Sequence, residues 1–275
     1  MIKRMFNYLV DLGKIENNFD HDTKDKPSGS QGSHFDIAFP GKDPMDVALG
    51  VFDSVDRGES VTYRNPYTAK RSKAAVIYSK PENHLAVSTI LVDDQVYTAY
   101  PVNNKFKTFS DCSVLKVTEW ANELEAWIHV QLLGNKTLCF FPLDYYKKRS
   151  NYITTKPIKL ELSAFAYDLK KHDEPWSPNE SEAKNIQKMD RFTALLNMQA
   201  ADQNAFDDDY FFDGEIKKVM TGGKDDKICE VEFSAYHSTK TFRLNIFVRK
   251  QLIKEELKEG DHISGKLWLQ GRIAS

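Results

Sequence analysis

Two segments of this chain join positive charge to aromatic rings, the combination needed to hold a single-stranded polyanion. The first, Thr62 to Lys80, carries Arg64, Lys70, Arg71, Lys73 and Lys80 without an acidic residue, interleaved with Tyr63, Tyr67 and Tyr78. The second, Asp144 to Lys159, sets Lys147, Lys148, Arg149, Lys156 and Lys159 against one aspartate, beside Tyr145, Tyr146 and Tyr152. Cations can track phosphates while rings stack on bases, and neither contact reads base identity. The plainer alternative is a solvated strand edge, kept from pairing by its lysines, with half-buried tyrosines.

A second group of rings lies opposite the apolar positions of alternating strands. Trp127 and His129, Phe165 and Tyr167, and Trp268 would then face outward, to stack on bases or to anchor a protein partner. Contact with another part of the same chain is the competing reading. The run Asp207, Asp208, Asp209, with Asp213 and Glu215, invites a cation. Counted from Asp209, Gly214 falls at the sixth position of an EF-hand loop, but Phe211 and Met220 occupy the third and twelfth, where oxygen ligands are required. The histidines, at 21, 34, 84, 129, 172, 237 and 262, never fall at ligand spacing, and no nucleophile elbow, phosphate-binding loop or dinucleotide fingerprint occurs. The expectation is therefore no metal, no cofactor and no catalysis, with an active site assembled between domains left open.

Composition supports a folded chain of ordinary kind. With 275 residues, 41% hydrophobic and 28% charged, there is enough chain for two or three cores without disulfides. A net charge of −2 removes the simplest case for a dedicated nucleic-acid binder, so charge has to be read segment by segment. Cys112, Cys139 and Cys229 are odd in number and lack C-x-x-C spacing, which predicts buried reduced thiols. The opening residues have no uninterrupted apolar stretch, so the expectation is a soluble cytoplasmic protein without a membrane partner.

The elements that must position these residues follow from periodicity. Ile2, Met5, Phe6, Leu9 and Leu12 predict an amphipathic helix over 1–14, and the polar composition after it predicts a flexible linker over 15–34. Asp43-Pro44 predicts a helix start, continued by Met45, Ala48, Leu49, Phe52 and Val55 and stopped by Gly58. Strands are predicted at Val61 to Tyr67, Ala74 to Ser79, Leu85 to Val92 and Gln95 to Tyr100, completing an α+β domain over 35–110.

The second half repeats. Ala126, Ile128, Val130 and Leu132 alternate with polar or aromatic residues, as do Ile158 to Ala166; Cys229 to Ala235, Phe242 to Val248 and Ile263 to Leu269 form the matching set. Ala126 to Leu162 and Val231 to Leu267 are both 36 residues apart. Three strands, a connecting segment and a closing strand look like the oligonucleotide/oligosaccharide-binding (OB) fold, although a fifth strand is not visible in either copy. The copies are placed at 111–170 and 210–275. Between them, over 171–209, the capping box Ser177-Pro178-Asn179-Glu180 predicts a bridging helix with Ile186, Met189, Phe192, Leu196 and Ala200 on one face.

The fold class expected is thus mainly β with α: an N-terminal α+β unit, then two OB-like small β-barrels joined by a helix. The expected function is non-catalytic binding of single-stranded nucleic acid or another polyanion through Arg64, Tyr67, Lys70, Arg71, Lys73, Tyr145, Tyr146, Lys147, Lys148, Arg149 and Tyr152. The alternatives are a protein-interaction or inhibitor module acting through Trp127, Phe165, Trp268 and the acidic surfaces, or an unrecognised enzyme. Oligomeric state is not legible.

Overall fold

A computed structural model describes residues 32–39, 41, 56–78, 84–132, 136–153, 156–172, 195–198, 205–223, 225–234 and 241–274. The helices expected over 1–14 and from Asp43 to Val55 lie outside the described residues, as does the bridging helix expected from Ser177 to Ala200 except at 195–198. The first described element, helix α1 (Gly32–Ala38), overlaps the end of the segment read as linker. Phe35 and Ala38 are fully buried, which gives this short helix an apolar face that the polar residues before it obscure.

Four strands follow, β1 (Asp56–Arg64), β2 (Arg71–Tyr78), β3 (Leu85–Val92) and β4 (Gln95–Asn103), paired antiparallel in chain order. Gly58, expected to end a helix, lies inside β1. The β3–β4 turn is set locally: Val92 pairs with Gln95, and Asp93 and Asp94 take φ of 51° and 63°, the left-handed pair of a tight hairpin. Every residue of β3 is buried, because the strand is covered on both faces. Val87 and Leu91 pack with Phe35 of α1, while Ala86 and Ile90 belong to a cluster that includes Phe141, Phe165, Phe247 and Trp268 from the second half of the chain.

The repeat forms β5 (Lys107–Glu119), β6 (Ala126–Leu132), β7 (Lys136–Pro142), helix α2 (Tyr145–Tyr152) and β8 (Ile158–His172), then β10 (Asp209–Gly223), β11 (Asp226–Ser234), β12 (Thr241–Val248), a 3-10 turn at Lys250–Leu252 and β13 (His262–Ile273). A three-residue strand, β9 (Leu195–Asn197), pairs with Tyr210 to Phe212, so Leu196 is on a strand and not on the expected bridging helix. Pairing to β10 satisfies the backbone of this segment, and a helical stripe read through Leu196 misses such a long-range partner.

The missing fifth strand is supplied by exchange. Pairing runs β5–β6–β7–β13–β8 and back to β5, and separately β10–β11–β12–β8–β13 and back to β10. Each five-stranded ring therefore takes its last strand from the other copy. The borrowed strand makes the one parallel contact of its ring, Gln270 to Phe141 in the first and Ile246 to Ala164 in the second. β8 and β13 are long because each serves both rings, and they pair antiparallel from His262–His172 to Ile273–Leu160. β5 changes partner at a bulge: Lys107 to Cys112 pair with β8 and Ser113 to Glu119 with β6, and Asp111 near the switch has φ of 56°.

The inward residues of both rings, among them Ile128, Phe140, Leu162, Val231, Leu244 and Leu267, form one continuous buried cluster. At the crossing, buried Asn103 donates through Nδ2 to the carbonyls of Ala164 (3.1 Å) and Asn245 (3.2 Å), and its backbone N–H donates to Gln270 Oε1 (3.0 Å). One residue thus ties β4 to β8 and β12 through its side chain and to β13 through its backbone. All three cysteines are free and buried, as expected. Among the described residues no helix is long and apolar enough to cross a membrane.

Candidate functional site

The two basic segments fare differently. In the second, Tyr145, Tyr146 and Tyr152 are buried, not offered for stacking. Tyr145 donates to Glu119 Oε1 (2.9 Å) and Tyr152 to Asp144 Oδ1 (2.5 Å), so the rings seal the end of the first barrel beneath α2. Burial, with Glu119 beside it, pushes the Tyr145 hydroxyl well above its ordinary range. Lys148 pairs with Asp144 (3.2 Å) and donates to the Ile273 carbonyl (3.1 Å); Arg149 pairs with Glu119 (2.8 Å) and lies near Glu123 (3.7 Å). Lys147 is exposed on the same helix. The sequence hid this neutralisation because Glu119 and Glu123 sit at the far end of β5 and in the turn after it.

The first segment forms the β1–β2 hairpin and stays open to solvent. Arg64 stands directly opposite Arg71, and Thr62 opposite Lys73, so these four side chains share one exposed face. Lys70 is exposed in the turn, and Tyr67 at its tip shares a hydrogen bond with Tyr97. The side chains of Arg64, Lys70, Arg71 and Lys73 form no ion pair with a carboxylate among the described residues, and the Asp93 carboxylate accepts only the backbone N–H of Lys73 (2.8 Å). Thr62, Tyr63, Arg64, Ala69 and Arg71 line an open groove of about 620 Å³.

The outward rings are not at the surface. Phe165 and Trp268 are fully buried and Trp127 is 9% exposed, which removes them as anchors for a separate partner. They lie on the outer side of the barrel strands, as alternation requires, but the chain covers that side itself. His34 of α1 stacks on Trp268 at 4.2 Å, Phe165 and Phe141 pack on the same indole, and Trp127 meets Trp120 edge-on at 5.2 Å with Phe206 alongside. The partner these rings dock is the chain's own N-terminal half together with the segment before β10.

The acidic run ends that segment and opens β10, and its three aspartates have separate tasks. Asp208 is fully buried and accepts the indole N–H of Trp127 on Oδ1 (3.1 Å) and of Trp268 on Oδ2 (2.7 Å), joining the two copies. Burial pushes its carboxyl well above the usual range, and Asp209 adds to that while the Trp268 donor opposes it. Asp209 accepts from the Tyr167 hydroxyl (2.6 Å) and lies 3.6 Å from His34 Nε2. Burial lowers the His34 pKa, with Asp209 working against it. Asp208→Asn is expected to cost about 2 kcal/mol in urea denaturation, because an amide N–H₂ then confronts one buried indole N–H. An unchanged midpoint would remove this role.

Asp207 turns the other way, to a place where the fold brings together residues far apart in sequence. His129 on β6 and Cys139 on β7 are direct cross-strand partners on the outer side of the barrel. Cys139 Sγ is 3.7 Å from His129 Nε2, and Asp207 Oδ2 is 3.2 Å from that same nitrogen. Burial, with Asp208 and Asp207 nearby, holds the Cys139 thiol far above its ordinary pKa. Ligand spacing along the chain could not reveal this group, since a hairpin register and a distant turn assemble it. Only the outward position of His129 on its strand was legible.

Neither a family model nor a curated protein matches the sequence. Among solved structures the chain is similar to the cytoplasmic molybdate-binding protein ModG with molybdate bound. Identity is 16%, the match covers 60% of this chain and 94% of that one, and the TM-score is 0.31.

Proposed function

We propose that this is a non-catalytic binding protein in which two strand-exchanged, OB-like barrels carry the β1–β2 hairpin, and that the hairpin holds a single-stranded nucleic acid or a similar polyanion. The observation that carries the reading is the arrangement of Arg64, Arg71 and Lys73 on one exposed face, with Lys70 in the turn and no side-chain ion pair to any of them among the described residues. Like charges directly opposite on paired strands destabilise a sheet. A bound polyanion relieves that repulsion, and the adjoining groove gives it a path past Tyr63. The second basic segment takes no direct part, because Lys148 and Arg149 are already paired.

The test is affinity for a labelled single-stranded oligonucleotide across a salt series. Changing Arg64, Lys70 and Arg71 together to glutamate is expected to lower affinity about 30-fold or more at low salt, and to reduce the slope of log affinity against log salt by about 2. Lys147→Glu is expected to change little. No binding at low salt, or equal binding by the triple variant, sinks the proposal.

A further inference from the structure

We infer that His129, Cys139 and Asp207 form a binding site for a divalent first-row metal ion, Zn²⁺ by preference, that ties the turn before β10 to the β6–β7 hairpin. The site uses none of the residues proposed to hold the polyanion, and the two readings stand or fall separately.

Geometry is the first support. With Zn–S near 2.3 Å and Zn–N and Zn–O near 2.0–2.2 Å, a tetrahedral ion sets sulfur and nitrogen about 3.6 Å apart and nitrogen and oxygen about 3.3 Å apart. The corresponding distances are 3.7 Å for Cys139 Sγ to His129 Nε2 and 3.2 Å for His129 Nε2 to Asp207 Oδ2. All three ligand atoms lie within 4.8 Å of one another. One imidazole nitrogen faces both a thiol and a carboxylate, so all three donor types meet at one place.

The ligand chemistry is selective. A sulfur, an imidazole nitrogen and one carboxylate oxygen suit Zn²⁺ or a neighbouring transition ion, whereas Ca²⁺ and Mg²⁺ call for shells of oxygen. Binding would form Zn–S, Zn–N and Zn–O bonds and release the thiol proton to solvent, with no redox change. Asp207 brings a carboxylate to the site, 3.2 Å from the imidazole nitrogen.

The scaffold is also prepared. His129 and Cys139 are held in register by the β6–β7 ladder. The Tyr210 hydroxyl accepts from the Cys139 N–H (2.6 Å) and donates to its carbonyl (3.1 Å), fixing the backbone that carries the sulfur. Asn197 Nδ2 donates to the Asp207 carbonyl (2.5 Å), which steadies the third ligand. The thiol lies inside, while the His129 and Asp207 side chains are 24% and 17% exposed, so an ion can enter from solvent and retain a water as fourth ligand.

The experiment uses the full chain, reduced and stripped with a chelator, then titrated with Zn²⁺ against a chromophoric competitor and separately with Co²⁺. One Zn²⁺ per chain is expected, with a thiolate-to-cobalt charge-transfer band. His129→Gln and Asp207→Asn should each weaken Zn²⁺ binding about 100-fold, and Zn²⁺ should raise the Tm of the parent chain but not that of His129→Gln. Cys139→Ser should abolish the band. If that variant does not fold, the two partly exposed ligands still decide the matter. Zn²⁺ held equally well by His129→Gln and Asp207→Asn, or a Co²⁺ spectrum without a thiolate band, overturns the site.

Discussion

Glu125→Gln is expected to be more stable than the parent chain at pH 8.5, by up to about 4 kcal/mol, and to lose most of that advantage at pH 5. Glu125 ends the turn between β5 and β6 and is 1% exposed. Asn122 Nδ2 donates to its Oε2 at 2.6 Å, and Oε1 has no hydrogen-bond partner among the described residues. Burial therefore raises its pKa from 4.5 to about 8, with the Asn122 bond opposing the rise. The folded chain prefers the protonated carboxyl, so this group contributes its full stabilisation below the unfolded pKa near 4.5. That contribution is lost as pH climbs through about 8. Glutamine keeps an acceptor for Asn122 and does not ionise, so its profile should be flatter over this window. Urea midpoints of both chains at the two pH values isolate the effect from other titrating groups. A parent profile parallel to that of the variant would show that Glu125 does not ionise with this cost.

The second large effect is expected at the strand exchange. Gly265 lies on β13 where it passes β8, and a Cβ there would sit 2.0 Å from the Asp168 carbonyl oxygen and 2.7 Å from its carbon. Those atoms are backbone in a ladder that both rings require, so neither rotamer change nor a local shift relieves the clash. Gly265→Ala should cost about 3 kcal/mol or more. Because β8 and β13 belong to both barrels, the loss should be shared: amide exchange should quicken in β6 and in β11 together. Faster exchange confined to β11 and β12 would show that the barrels unfold independently, and an unchanged midpoint would deny the close approach itself.

The two copies show why outward faces are hard to read from sequence. Val231 follows Ala126 in the repeat, and the neighbouring outward positions are Glu232 and Trp127. Glu232 pairs with Arg243 (2.7 Å) and Lys217 (3.2 Å) in a charged surface ladder, while Trp127 is buried under Phe206 and bonded to Asp208. Alternation told that each side chain points away from the barrel interior. It could not tell that one outer face is covered by the chain and the other is left to water. The basic segments divide for the same reason: Arg149 meets Glu119 through the fold, whereas Arg64 stands opposite Arg71 on an exposed hairpin.

The sequence by itself determined most of the described strands and their inward faces, because a period of two, punctuated by Asp93-Asp94 and similar turns, is local information. It also showed that a four-strand unit occurs twice with equal 36-residue spacing. Only the tertiary structure decided that each unit is incomplete and closes with the other's last strand. Exchange of β8 and β13 changes which strands pair without changing any strand's own pattern, so nothing in the local sequence records it. The group of His129, Cys139 and Asp207 belongs to that second kind of knowledge. A hairpin register aligns two of its members and a turn in the segment between the copies delivers the third, so their proximity is a property of the fold rather than of spacing along the chain.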